Sequence, residues 1–181
     1  MPTFIALLRG ANVSGKNRIP MAEWKAGLER LGFKDVRTYL QSGNAVFNAA
    51  AAAPDKMAST IKAGIARDFG FDVEDLVLSR ADIDVIAGSN PLFPRRGTDE
   101  TLFHATFPFH PVLKSGFDKL KLPAQAGEQA VAAGRVIYLY CPNGYGRTKL
   151  NNTFFEKALG VPATTRNWRT VLALQALCAE P

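Results

Sequence analysis

The sequence predicts an α+β protein of two halves, each opening in the order strand, helix, strand, strand. Three features predict it. Short apolar runs alternate with segments whose apolar residues recur every three or four positions, the change from strand to helix periodicity. The same order of elements reads out twice, from residue 3 and again from residue 101. Clusters of Gly, Pro and Asn punctuate the chain between these segments.

Residues 3–8 form a continuous apolar run, predicted to be a buried strand. A polar loop containing Gly10 and Gly15 follows to residue 19. Pro20 suits the first turn of a helix, and Met21, Trp24, Leu28 and Leu31 recur at helical spacing until Gly32 stops it. Residues 36–41 and 45–48 read as strands joined around Ser42, Gly43 and Asn44, where glycine supplies a positive φ. The alanine run 49–53 is short, and Pro54 and Asp55 after it mark a helix start. Met57, Ile61, Ile65 and Phe69 then recur every fourth residue before Gly70, and 73–79 supplies another strand. Residues 1–80 therefore read βαββαβ, the ferredoxin-like pattern of an antiparallel sheet carrying two helices on one face.

Residues 81–98 are expected to connect the halves through a short helix over 81–87 and a Pro-containing stretch at 90–94. The second half, 99–181, opens with a strand at 101–107, a helix around 112–120, and strands at 129–133 and 136–141 about a Gly134 turn. This related βαββ half repeats the architecture without residue-level repetition. Two helices end it. One carries Leu150, Phe154, Ala158 and Leu159 and is closed by Gly160; the other carries Trp168, Val171 and Leu172, with a threonine or Asn167 as its cap.

Hydrophobic residues make up 47% of the 181, enough for a sizeable core, and the 21% charged residues carry both signs, so neither disorder nor low hydrophobicity dominates. The net charge of +6 is compatible with anionic partners, but an excess of cations that only solubilises the surface is the commoner reading. Cys141 and Cys178 are too few for a disulfide framework and lack CxxC spacing, which fits a reducing compartment. The opening apolar run is too short for a secretory signal and is stopped by Arg9 and Gly10. No run reaches membrane-spanning length, so a cytoplasmic protein with no membrane partner is expected.

Hydrolytic signatures are absent: there is no HExxH or GxSxG, and the imidazoles are His104 and His110. A Cys141–His104 pair on adjacent strands would supply a nucleophile and a base, set against the commoner role of cysteine as a small buried hydrophobe. No metal site and no cofactor are called for. The stretch Gly10-Ala11-Asn12-Val13-Ser14-Gly15-Lys16-Asn17 is one residue away from a phosphate-binding P-loop, with Asn17 where a magnesium-binding hydroxyl belongs. Pro20 would fall in the second turn of a helix begun at the Gly-Lys step, and the parallel βαβ setting is missing, so a nucleotide hydrolase is disfavoured.

What survives is an anion pocket in which Arg9, Lys16 and Arg18 supply charge, Asn12 and Asn17 supply amides, and glycine lets an anion approach the backbone. The alternative is a solvent-facing connection whose glycines serve only its turns. Asn143-Gly144-Tyr145-Gly146-Arg147-Thr148-Lys149 forms a second basic, glycine-rich loop, with Thr148 placed to cap the helix after it. Arg166 stands at the entrance of the last helix, either joining a shared anion site or pairing with a surface carboxylate.

Four motifs together, Leu8-Arg9-Gly10-Ala11-Asn12-Val13, Tyr39-Leu40-Gln41-Ser42-Gly43-Asn44, Gly144-Tyr145-Gly146-Arg147-Thr148-Lys149-Leu150 and Thr165-Arg166-Asn167-Trp168, make the chain resemble the bacterial family DUF1697 along essentially its whole length. The resemblance implies a ferredoxin-like first half and a related α+β second part; it brings no established activity and no catalytic residues. Ala11 stands where the family often has Ile, and Ser14 where it often has Gly.

The leading expectation is binding of a small anionic ligand, with or without catalysis, where the two basic loops and Arg166 converge. Arg9, Lys16, Arg147, Lys149 and Arg166 would supply charge, Asn12 and Asn44 hydrogen bonds, and Tyr145 a stacking or hydroxyl contact. A nucleic-acid-binding module is the first alternative, although residues 42–47 lack the basic start and repeated aromatics of an RNA-recognition strand. A protein-interaction module is the second, and it predicts an exposed apolar patch.

Overall fold

The computed structural model of the chain describes residues 1–13, 15–94 and 98–180. Ser14 of the first basic loop, residues 95–97 of the expected connection and the C-terminal Pro181 lie outside the described residues.

The first half folds as expected from its periodicity. Strand β1 (Thr3–Leu8) leads through the basic loop to helix α1 (Met21–Arg30), then to β2 (Lys34–Tyr39), β3 (Asn44–Asn48), α2 (Pro54–Phe69) and β4 (Asp75–Ser79). The strands form one antiparallel sheet in the order β2-β3-β1-β4. Phe4, Ala6 and Leu8 alternate onto one face of β1. There, with Phe47 and Val77, they pack beneath Trp24 and Leu28 of α1 and Met57, Ile61 and Ile65 of α2. Phe33 stacks on Phe47 with ring centroids 4.4 Å apart. The other face is apolar as well: Ile5, Leu7, Val46 and Leu78 are fully buried. A sheet buried on both faces explains why β1 reads as an unbroken apolar run.

The second half has the same topology. Helix α3 (Arg80–Gly88) precedes β5 (Phe103–Pro108), α4 (Lys114–Phe117), β6 (Gln129–Ala133), β7 (Val136–Tyr140), α5 (Asn152–Leu159), β8 (Ala163–Asn167) and α6 (Trp168–Ala179). The sheet order is β6-β7-β5-β8, the counterpart of the first sheet strand for strand. Phe117, Ile137, Leu139 and Phe155 form the core between this sheet and its helices.

Two elements differ from the sequence reading. Residues 164–167 were expected to lead into the last helix, and instead they belong to β8, which pairs antiparallel with β5 from His104↔Asn167 to Pro108↔Ala163. Threonines 164 and 165 suit a pleated strand, and pairing with β5 recruits a segment that has no apolar alternation of its own. This strand completes a second βαββαβ set. The expected helix around 112–120 shortens to the single turn of α4, because Gly116 weakens helical propensity in its middle and Pro111 and Pro123 bound the segment.

The chain divides into two compact units, Met1–Asp84 with Leu174–Pro181, and Val85–Ala173. Within the first, the C-terminal part of α6 is tied in by a hydrogen bond from Gln175 to Asp84 (3.0 Å) and an ion pair between Glu180 and Arg37 (3.0 Å).

Candidate functional site

In the first unit the residues of interest gather at one end of the sheet, where β1 runs into the loop 9–19 and β2 turns into β3. The loop is held by Asn12. This residue adopts left-handed backbone, φ 55°, which among ordinary residues asparagine tolerates best. Its side-chain amide donates to the carbonyls of Ile19 (2.9 Å) and Gln41 (2.8 Å), and its side-chain oxygen accepts from the Ile19 N–H (2.8 Å). Asn12 thus closes its own loop and ties it to the β2–β3 turn. Val13 and Lys16 pair across the loop tip, Asn12 N–H donates to Asn17 O (3.1 Å), and Asn17 is also left-handed at φ 48°.

The β2–β3 turn is equally constrained. Leu40 has φ 57°, a costly conformation for a large side chain, and Gly43 has φ 76°. A Cβ on Gly43 would lie 2.8 Å from the Leu8 Cβ, so the close approach of this turn to β1 requires glycine. Asn44 is fully buried, and its amide donates to Tyr39 O (2.8 Å) and Ser42 Oγ (2.9 Å), which makes it part of the turn's scaffold.

Four of the expected site residues are therefore brought together here, in different roles. Asn12 and Asn44 spend amide hydrogen bonds on backbone and turn. Arg9 is half-buried, its N–H donating to the Glu74 carbonyl (2.8 Å). Lys16 and its neighbour Arg18 are exposed and make no ion pair among the described residues. The P-loop comparison fails on geometry, since α1 begins only at Met21, with Pro20 in its cap position and no helix start at the Gly-Lys step.

One residue at this end was not singled out from the sequence. Asp75 opens β4 directly opposite Leu8, and its side chain shares the core-facing side of the sheet with Leu8 and Val77. It is 8% exposed, and its Oδ2 has no hydrogen-bond partner. Burial pushes its carboxyl up to about 8, the neighbouring Glu74 charge adding to the rise and Lys62 on α2, itself ion-paired to Glu74, opposing it. Asp75 is thus a neutral acid at pH 7, able to donate a proton in a hydrogen bond where an ionised carboxylate could only accept. The signal was present in the sequence as a lone acid at the core-facing parity of an otherwise apolar strand.

The second unit holds Tyr145, Arg147, Lys149 and Arg166. Tyr145 stacks on His104 with centroids 4.5 Å apart, and its hydroxyl accepts from the Asn152 N–H (3.2 Å) and hydrogen-bonds Thr165. Arg147 and Lys149 are exposed and make no ion pair among the described residues. Thr148 does not cap α5; Asn151 does, accepting from the Phe154 N–H (3.0 Å), while Thr148 Oγ accepts from Leu150 N–H. Arg166 alternates with Thr165 along β8 and so leaves the opposite face of the sheet from Tyr145. It is buried and donates to Thr164 Oγ (2.6 Å) and Thr165 O (3.1 Å), and desolvation lowers it to about 10, still cationic at neutral pH.

His104 is buried on the Tyr145 side. The Asn167 amide donates to Thr101 O (3.0 Å), and its oxygen accepts from Arg169 N–H (3.0 Å), which fixes the nitrogen toward His104 Nε2 at 3.3 Å. Nε2 must then accept, and the ring proton sits on Nδ1, which has no partner. Burial lowers His104 to about 4 and raises the Cys141 thiol to about 11. A weakly basic imidazole and a thiol that stays protonated do not make a primed nucleophile pair. No cluster of three metal-ligating side chains occurs among the described residues, and no helix among them is long and apolar enough to cross a membrane.

The model of a family described as a protein of unknown function, DUF1697, matches residues 1–138. The chain belongs to the DUF1697 family. Among solved structures, the conserved bacterial protein SP0830 from Streptococcus pneumoniae aligns with a TM-score of 0.74 and 22% identity, over 99% of this chain and 99% of that one. At that identity the likeness establishes a shared fold for this DUF1697 member across both units. No curated protein matches it.

Proposed function

We propose that this DUF1697 protein binds a small anionic ligand at the end of its first sheet, with Lys16 and Arg18 as the charged contacts on the loop that follows β1. The carrying observation is Asn12, whose three side-chain hydrogen bonds hold the loop in left-handed backbone and anchor it to Gln41. Exposed cations on a backbone already fixed lose less freedom on meeting an anion than cations on a flexible loop. Strained backbone gathered in two adjoining turns is also the usual companion of a binding site. The buried free cysteines fit a reducing compartment, which supports a cytoplasmic protein as part of this proposal.

A protein-interaction role is the second reading, favoured by Val13 and Leu40. They are 56% and 55% exposed, and they stand on the two loops that Asn12 joins.

Thermal stability against inorganic phosphate, sugar phosphates, nucleotides, small carboxylates and short RNA, in the wild type and in Lys16→Gln/Arg18→Gln, separates these readings. One small anion should stabilise the wild type by about 2.7 kcal/mol at a hundred times its dissociation constant, and the double variant should lose that response. Stabilisation by RNA alone, declining steeply with salt, would replace the proposal with a nucleic-acid role. An absence of any response would leave the interaction reading in its place.

A further inference from the structure

The alanine run 49–53, which the loop site does not use, forms one wall of a groove in the first unit. The groove has a volume of about 270 Å³, a little below the range of about 300–1,000 Å³ typical of drug-sized ligands. Its floor is apolar: Phe33 and Met57 are buried there, and Leu31 closes one side where α1 ends. Ala50 and Ala52, two residues apart, supply methyl groups only, and this leaves the space open where larger side chains would fill it.

The groove is polar at Lys56 and Thr60. Thr60 donates its hydroxyl to the Lys56 carbonyl (3.0 Å), so the ammonium of Lys56 is the charge the groove offers. Lys56 is exposed and makes no ion pair among the described residues. It lies in the first turn of α2, where the helix dipole favours an anion and disfavours a cation. The cap residue Ala53 contributes no side-chain acceptor. Asp55 in the same turn already answers the helix dipole, so a bound carboxylate would supply the negative charge that Lys56 alone lacks.

We infer that the groove bounded by Phe33, Ala50, Ala52, Met57 and Lys56 binds a medium-chain carboxylate, its chain along the alanine wall and its carboxylate on Lys56. An apolar floor with a single cation at one place selects an amphipathic anion over both a neutral chain and a short, fully hydrated one. The volume limits the ligand to a chain of modest length, and each methylene within that length strengthens binding about fourfold.

Amide chemical shifts of ¹⁵N-labelled protein, titrated with butyrate, octanoate and octan-1-ol, test this. Octanoate should shift the amides of Gly32, Ala50, Ala52 and Thr60 saturably, and butyrate should bind at least tenfold more weakly. Lys56→Gln should weaken octanoate at least fivefold and leave octan-1-ol unchanged. Ala50→Leu, a substitution at an exposed position that fills the groove, should abolish both while the rest of the spectrum stays in place. Equal affinity for octanoate and octan-1-ol in the wild type would overturn the inference. So would saturable shifts confined to other residues, or unaltered octanoate binding by Ala50→Leu.

Discussion

Asp75 makes stability depend on pH in a direction opposite to that of ordinary carboxylates. In the unfolded chain an aspartate releases its proton near 3.9, whereas burial holds the Asp75 proton in the folded protein up to about pH 8. Between those values the folded state binds more protons than the unfolded state, so stability is fully present below about pH 4 and falls as pH rises toward 8. At about 1.4 kcal/mol per pH unit, a span of about four units amounts to a loss on the order of 5 kcal/mol. Asp75→Asn keeps the size and removes the titration. Urea unfolding of both proteins at pH 5, 6.5 and 8 should therefore show the variant gaining on the wild type by about 1.4 kcal/mol per pH unit, with the difference levelling off above pH 8. A ¹³C carboxyl titration of Asp75 should have its midpoint near 8. A stability difference that does not change with pH, or a midpoint near 4, would refute the burial argument.

His104 should act in the other direction: neutral in the fold down to about pH 4 and protonated when unfolded below about 6.5, it removes about 3 kcal/mol of stability as pH falls across that interval. His104→Gln should flatten the acid limb of the wild-type stability curve, and an unchanged acid limb would contradict the neutral ring. Gly43→Ala should cost about 2–4 kcal/mol by thermal or urea unfolding, from left-handed backbone and the 2.8 Å approach to Leu8 Cβ combined. Gly10→Ala, also at positive φ but with nothing within 4 Å, should cost only about 1 kcal/mol; equal losses at the two positions would show that the Leu8 contact is easily relieved.

The elements legible in the sequence were those whose own periodicity fixes them. Trp24 and Leu28, or Met57, Ile61 and Ile65, mark a helix face whatever lies beneath it, and both helices formed where the spacing put them. Strand β8 carries no such mark. Its threonines and Arg166 become a strand because β5 offers an open edge, a partner more than fifty residues away in the chain. Reading that segment as a helix entrance offered Arg166 to a shared anion site or to a surface carboxylate, and as a strand residue it is buried with its hydrogen bonds on Thr164 and Thr165. The same cause separates the expected roles of Asn12 and Asn44 from the observed ones. An asparagine in a glycine-rich loop looks like a donor for a ligand, but the Gln41 and Tyr39 carbonyls that take its hydrogen bonds cannot be located before the β2–β3 turn is placed.

Asp75 and His104 follow a different logic, because the sequence did display them. Each is a lone ionisable group at the buried parity of a strand that is otherwise apolar or neutral, and alternation alone would have predicted that each is neutral at pH 7. What alternation cannot supply is the partner that decides use. Asn167 fixes the His104 tautomer through two backbone hydrogen bonds of its own and still leaves the Nδ1 proton without a partner, and Asp75 Oδ2 likewise has none, one strand away from the loop that Asn12 anchors. Neither group is completed from within the fold, and the expected gain in stability of Asp75→Asn at neutral pH measures how much the native residue gives up by remaining an acid there.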